Sequence, residues 1–223
     1  MSEPQLAEAP IACVTDGVFF TPPAALPRGR HKLTREQVQS AQRDRLLIAV
    51  TELLAAHGDR GFGPGEIASR AGVSLAAFYA CFENKGACIF AGYDRFIEVL
   101  LTQMAAIEET GKDRATLVNE IVGTYLGTLE SDLVVARAYQ VEIDALGPPA
   151  RERRRNALNL FAAYFRELSD RVSSDGRSLP LTAFIGAVYA ARQLASDALD
   201  AEADPDLAAL GEDLQLWMSD LFR

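Results

Sequence analysis

Apolar positions in this chain recur at three and four residues from about residue 35 onward, the spacing of one face of an α-helix. Leu46, Ala49, Val50, Leu53 and Leu54 mark a first helix, and Gly58 stops it. Two short helical stretches follow at 66–71 and 75–82, separated by Gly72-Val73-Ser74. A longer helix starts near Lys85 and carries Phe90, Tyr93, Ile97, Leu100, Leu101, Met104 and Ile107 on one face before Gly111. The second half has the same texture without an internal repeat. Leu117, Ile121, Tyr125 and Leu129 predict a helix over 113–129, and another over 132–146 ends at Gly147-Pro148-Pro149. Leu158, Phe161, Phe165, Leu168 and Val172 line the next helix, which the polar residues 173–176 close. Pro180, a residue favoured in a first helical turn, opens a helix whose apolar positions from Leu181 to Leu199 wrap wider than one stripe, implying burial on two sides. A last helix over 207–221 carries the single tryptophan, Trp217. No stretch alternates at period two, so the predicted fold class is all-α, with roughly nine helices. Ahead of them, Pro4, Pro10, Pro22, Pro23 and Pro27 leave no apolar period, and residues 1–34 are expected to form a flexible arm with a short extended patch at 18–20.

Composition narrows the class. The 223 residues are 49% hydrophobic with a net charge of −9, which suits a soluble globular chain able to close a core without staples. No run approaches the roughly 20 apolar residues of a bilayer span, and Glu3, Glu8 and Asp16 precede any Lys or Arg, the reverse of a secretory signal. A cytoplasmic location is expected. Cys13, Cys81 and Cys88 show no C-x-x-C spacing, and His31 and His57 are the only histidines, too little for a disulfide framework or a Cys/His zinc site. Cys81 and Cys88 read either as small buried hydrophobes or, if close in space, as a redox pair. The carboxylates Asp197, Asp200, Glu202, Asp204 and Asp206 lack the spacing of a calcium loop, so no metal is predicted.

No nucleotide-binding or nucleophile-elbow glycine motif occurs, and His57 has no partner in sequence. Glu142 and Asp144 straddle a helix face rather than share one. No catalytic residue or cofactor is therefore predicted, and the chain is not expected to be an enzyme.

Charge is unevenly placed. Residues 1–27 carry −3, residues 28–85 carry nine basic and six acidic side chains for a net +3, and residues 86–223 carry −9. An acidic body bears a basic headpiece, which removes the objection that the overall charge raises against a nucleic-acid partner. Arg28, Arg30, His31 and Lys32 fall in the proline-flanked arm, where they would lie along or inside a DNA groove, or serve as a solvated linker. The run Arg151, Arg153, Arg154 and Arg155 reads as a solvated first turn or as a site for an acidic effector or partner subunit.

Residues 65–82 have the parts of a helix-turn-helix. Ile67, Ala71, Val73 and Phe78 supply a small core, and Ala68 and Ala71 keep the crossing close. Gly72 stands where the backbone leaves the first helix with positive φ, and Ser74 caps the second. That second helix is the one that enters the major groove in such units.

The run Ile67-Ala68-x-x-Ala71-Gly72-Val73-Ser74-x-x-x-Phe78-Tyr79-x-x-Phe82-x-Asn84-Lys85 resembles the amino-terminal signature of the TetR/AcrR family of bacterial transcriptional regulators. Residues 26–31, 42–47 and 88–94 fit the same pattern. The resemblance covers about 26–102; beyond it only the helical layout agrees. It implies a helix-turn-helix DNA-binding headpiece, here 35–90, and a helical domain, 91–223, for a small-molecule effector and dimerisation. It further implies a homodimer acting as a repressor that leaves a palindromic double-stranded DNA operator when the effector binds.

Carried over by position, Tyr79 matches the recognition-helix aromatic that meets a phosphate or base edge, Lys85 the lysine that meets the DNA backbone, and Ser74 the residue that donates to a phosphate. Their plainer readings are a core ring, a solvated charge and a cap. Two departures stand out. Gly63 and Pro64 occupy the place of a family Ser or Thr, and Leu75, Ala76, Ala77, Ala80 and Cys81 offer no bidentate base contact. Leu75 and Ala76 retain apolar contact with thymine methyls. Modest base specificity follows, as does an alternative: a TetR-like regulator acting through a protein partner or with weak sequence specificity. The inward helix faces around Phe96, Leu100, Met104, Leu117, Ile121, Tyr125, Tyr139 and Trp217 are the expected effector pocket, each of them otherwise ordinary core. The apolar faces within 158–172 and 181–199 are the expected dimer surface.

Overall fold

The structure, a computed structural model, describes residues 10–23, 34–173 and 178–222. Nine α-helices run through these residues: α1 (Arg35–His57), α2 (Pro64–Ala71), α3 (Leu75–Cys81), α4 (Lys85–Ala105), α5 (Arg114–Glu130), α6 (Leu133–Ala136), α7 (Pro148–Val172), α8 (Leu181–Ala201) and α9 (Leu207–Leu221). Local chemistry sets where they begin. Thr34 Oγ1 accepts from the Gln37 backbone N–H at 3.2 Å while Gln37 Oε1 accepts from Thr34 N–H at 2.9 Å, a reciprocal cap for α1. Asn84, Asp113 and Asp206 cap α4, α5 and α9 through their side-chain oxygens.

Helices α1, α2 and α3 form one small bundle around Leu46, Val50, Ile67 and Phe78, all fully buried. Helix α4 leaves that bundle along α1 and continues into the body, where α5 packs on α9 and α7 on α8. One element thus belongs to both halves.

The continuous helix predicted over 132–146 is broken in the structure. Helix α6 passes into a π-helical turn at Arg137–Val141 and a 3-10 turn at Glu142–Leu146. Tertiary partners explain the break. The Gln140 carbonyl accepts from Ser196 Oγ at 2.8 Å and from the Arg192 guanidinium, and the Tyr139 hydroxyl reaches Thr51 Oγ1 of α1 at 2.8 Å. The two bonds to the Gln140 carbonyl replace the helical one that periodicity alone would favour, and the Tyr139 bond ties the turn to α1. Gly92 in α4 makes room: a Cβ there would stand 1.9 Å from the Tyr139 hydroxyl oxygen.

Residues 10–23 correct a second expectation. Although they form no helix or strand, they lie as a strap across the junction of headpiece and body rather than as a loose arm. Phe19 is 1% exposed and stacks on Phe96 at 5.5 Å; Phe20 is equally buried beneath the Arg95 guanidinium. The Val14 N–H donates to Glu52 Oε1 at 2.9 Å and the Thr15 N–H to Asp132 Oδ2 at 2.7 Å, while Arg95 Nε donates to the Phe19 carbonyl. Glu52 also pairs with Arg70 of α2 at 2.7 Å. A proline-rich segment without apolar period is held here by partners 38 to 117 residues away.

Candidate functional site

The first region of interest is the exposed face of α3. Ser74 opens the helix by accepting from the Ala77 N–H at 3.1 Å, and Gly72 ends α2 with φ 65°, ψ 34°, a left-handed conformation open to glycine at little cost. Phe78 is fully buried and anchors α3 edge-on to the neighbouring ring of Tyr79. That anchoring turns Ser74, Leu75, Ala76 and Tyr79 outward; Leu75 is 46% and Tyr79 54% exposed. Tyr79 is therefore not a core ring, and a 7-residue helix presents an apolar and aromatic surface to solvent.

The cations around it are largely committed. The Lys85 ammonium pairs with Asp59 Oδ1 at 2.9 Å, donates to the Asp59 and Phe62 carbonyls and lies over the Phe62 ring. A phosphate at Lys85 would have to take the place of Asp59. Arg43 covers the Phe82 ring at 4.4 Å and donates to the Cys81 carbonyl; Arg70 is paired with Glu52. Arg35 and Arg60 are exposed. Arg28, Arg30, His31 and Lys32 lie outside the described residues. At the entry of α2, Gly63 provides no side-chain oxygen; its N–H is taken instead by Glu66 Oε2 at 2.9 Å.

The second region is a cavity of about 120 Å³ inside the body, between α4, α5, α7, α8 and α9. Phe96, Leu100, Met104, Leu117, Ile121, Tyr125 and Tyr139 all line it. Trp217 does not. It sits on the outer face of α9, 39% exposed, while the next residue, Met218, points inward, because the helical turn places adjacent side chains about 100° apart. Phe161, Phe165, Phe184 and Phe222 complete a largely aromatic wall.

Polar groups gather at one end. Arg154 and Arg192 both pair with Asp144 Oδ2, the latter at 3.1 Å, and Gln140, Tyr93 and Tyr125 lie near them. Burial raises the hydroxyl pKa of Tyr93, Tyr125 and Tyr139, so all three are neutral donors at any working pH. The Tyr125 hydroxyl faces the Gln140 side chain without forming a hydrogen bond of ordinary geometry, and Asp144 Oδ1 is buried with no partner among the described residues. The sequence marks Arg154 within its run but does not separate it from Arg151, Arg153 and Arg155; of these, Arg154 lines the cavity. Arg153 turns the other way, to Asp94 at 2.8 Å and over Phe90.

Tyr139 links the cavity to the three-helix bundle that carries α3, since its ring lines the cavity and its hydroxyl bonds to α1. Other candidate clusters resolve as structure. Burial raises the Cys81 thiol and pushes Cys88 up to about 12, which makes Cys88 a poor nucleophile. In the acidic segment, Asp206 caps α9 and Asp197 accepts from Gln193. Among the described residues no three His, Cys, Asp or Glu side chains gather as a metal site. No helix there is long and apolar enough to cross a membrane.

No protein-family model matches the chain, and no curated protein matches it in sequence. Solved structures do. A TetR-family transcriptional regulator from Rhodococcus sp., described as putative, superposes with a TM-score of 0.69 at 16% identity, over 82% of this chain and 99% of that one. The transcriptional regulator FadR from Bacillus subtilis, solved in complex with stearoyl-CoA, gives 0.65 at 16% identity over 78% and 96%. NalD of Pseudomonas aeruginosa, the secondary repressor of a multidrug efflux pump, gives 0.63 at 20% over 80% and 96%. The fold is that of the TetR-family regulators, and the likeness extends well past the headpiece that carries the sequence signature.

Proposed function

We propose that this chain is a ligand-responsive, DNA-binding transcriptional regulator of the TetR/AcrR family. It acts as a cytoplasmic homodimer that represses from a palindromic operator until a small molecule occupies the body cavity. The observation that carries this reading is Tyr139, which lines the cavity and hydrogen-bonds Thr51 of the headpiece. A guest that moves Tyr139 acts on α1 directly. Switching is then a population shift: the operator favours headpieces spaced for successive major grooves, about 34 Å apart, and the guest favours another spacing.

The DNA face is Ser74, Leu75, Ala76 and Tyr79, with phosphate contacts from Lys85, once it exchanges Asp59, and from Arg28, Arg30 and Lys32 of the arm. Dimerisation through α7 and α8 accounts for the exposure of Leu160 at 52% and Leu194 at 42%, apolar side chains that a partner copy would cover. The small side chains of Ala76, Ala77 and Ala80 favour weight on phosphate contacts and DNA shape over base readout. They also support a second reading, a regulator that works through a protein partner or with weak sequence specificity. Mobility shift with the DNA upstream of the chain's own gene separates the two. A retarded, salt-sensitive complex of one dimer per site is expected; absence of any retardation at micromolar protein would reject operator binding.

A further inference from the structure

The cavity is elongated. Along α4 its lining runs from Tyr93 to Met104 and along α7 from Arg154 to Ser169, roughly 16 and 22 Å at about 1.5 Å per residue. Nearly all of that length is hydrocarbon or aromatic. The end at Tyr93 and Arg154 differs in one respect: two guanidiniums share a single carboxylate oxygen. Asp94, the other carboxylate close by, is committed to Arg153. The cluster therefore holds one positive charge in excess, on two guanidiniums whose side chains are 23% (Arg154) and 9% (Arg192) exposed. An uncompensated charge beside an apolar cavity is costly unless something neutralises it. The Tyr125 hydroxyl, buried without a hydrogen bond, stands in the same wall as a spare donor. Arg114, at the opposite end, donates to the Ser169 carbonyl and is partnered there.

We propose that the cavity takes an unbranched long-chain carboxylic acid, its carboxylate seated between Arg154, Arg192 and the Tyr125 hydroxyl and its chain running along α4 toward Met104. Two guanidiniums, Asp144 and the guest's carboxylate then sum to zero charge. At about 1.3 Å per methylene, the 16 Å span matches the length of some 12 to 14 carbons, a guest larger than the 120 Å³ of free space, so the apolar walls must part to admit it. The inference rests on reading the cavity as the effector site. It adds that the head is a free carboxylate, since a bulky head attached through a thioester would not fit beside a guanidinium as buried as Arg192.

The test is calorimetric titration of the intact chain with tetradecanoate, 1-tetradecanol and tetradecanoyl-CoA, each below its aggregation threshold. The acid should bind at least about tenfold tighter than the alcohol, the range of a charge-assisted hydrogen bond lost. Arg154→Gln should remove most of that preference while leaving alcohol binding within about threefold, and Arg114→Gln should preserve it. Equal binding of acid and alcohol by the unaltered chain overturns the proposal, whatever the variants do. So does preference for the thioester, failure of all three to bind, or loss of the preference in Arg114→Gln instead. Operator binding by the unliganded chain is measured separately, so failure here leaves the regulator reading standing, and failure there leaves the ligand result intact.

Discussion

The Tyr139 hydroxyl and Thr51 Oγ1 stand 2.8 Å apart across the boundary between body and headpiece, both residues almost wholly buried. Thr51 already donates to the Leu47 carbonyl at 2.7 Å, so the shared proton comes from Tyr139. Tyr139→Phe removes that donor without orphaning Thr51, and the expected cost is only about 1 kcal/mol. Effector-induced release from DNA should weaken markedly while effector-free DNA affinity stays within about twofold. An unchanged release curve would show that the coupling runs elsewhere.

Phe19 is the strap's main anchor. Phe19→Ala should cost about 3–5 kcal/mol, as a buried ring does. For a chain of this size that corresponds to a fall in Tm on the order of 10 °C. Scanning calorimetry decides it; a shift within 2 °C would mean that the strap is not part of the cooperative unit.

Phe78 and Tyr79 are adjacent and should behave oppositely. Tyr79→Ala is expected to weaken operator binding about tenfold with Tm nearly unchanged, as exposed sites usually allow. Phe78→Ala should lower Tm on the scale of other buried rings. The pair is read by melting curves and mobility shift on the same samples.

Replacing Arg28, Arg30 and Lys32 together with glutamine tests the arm without disturbing the strap. If all three meet phosphates, the slope of log affinity against log salt should flatten by about 2 to 3 units. An unaltered slope would make them a solvated linker.

Glu142 and Asp132 carry carboxyl groups raised above their ordinary values, chiefly by burial, with Asp200 adding to the effect on Glu142. Between the ordinary and the raised value the folded chain holds more protons than the unfolded one, so stability falls as pH rises through that window. Glu142→Gln should therefore raise Tm at pH 7.5 and give no gain near pH 4. A constant difference across that range would assign the effect to something other than ionisation.

The headpiece was legible in the sequence because its determinants are local. A left-handed glycine at 72, a capping serine at 74 and apolar residues at helical spacing act within a few residues, and the helices appear where that chemistry places them. The same holds for seven of the eight residues expected at the cavity, since an inward helix face is a matter of period. Trp217 shows the limit: period says which residues share a face, but a helix packed on one side only leaves the neighbouring positions outside.

Other features depend on partners far away in the chain. Residues 10–23 have no periodic signal because their order comes from Glu52, Asp132 and Phe96. The π-helical turn at Tyr139 is supported because Arg192 and Ser196 satisfy the Gln140 carbonyl, while the Tyr139 hydroxyl ties the turn to Thr51. Sequence leaves the arginine run as a solvated turn or a site for an acidic effector or partner; only the pairing with Asp144 singles out Arg154 and draws it inward. Short-range sterics and hydrogen bonds, readable from the order of residues, already commit the chain to helices throughout, with a basic helix-turn-helix headpiece on an acidic body. The strap, the broken helix and the charged end of the cavity were settled only by folding, because charge pairing and ring stacking act between whichever groups the closed chain brings together.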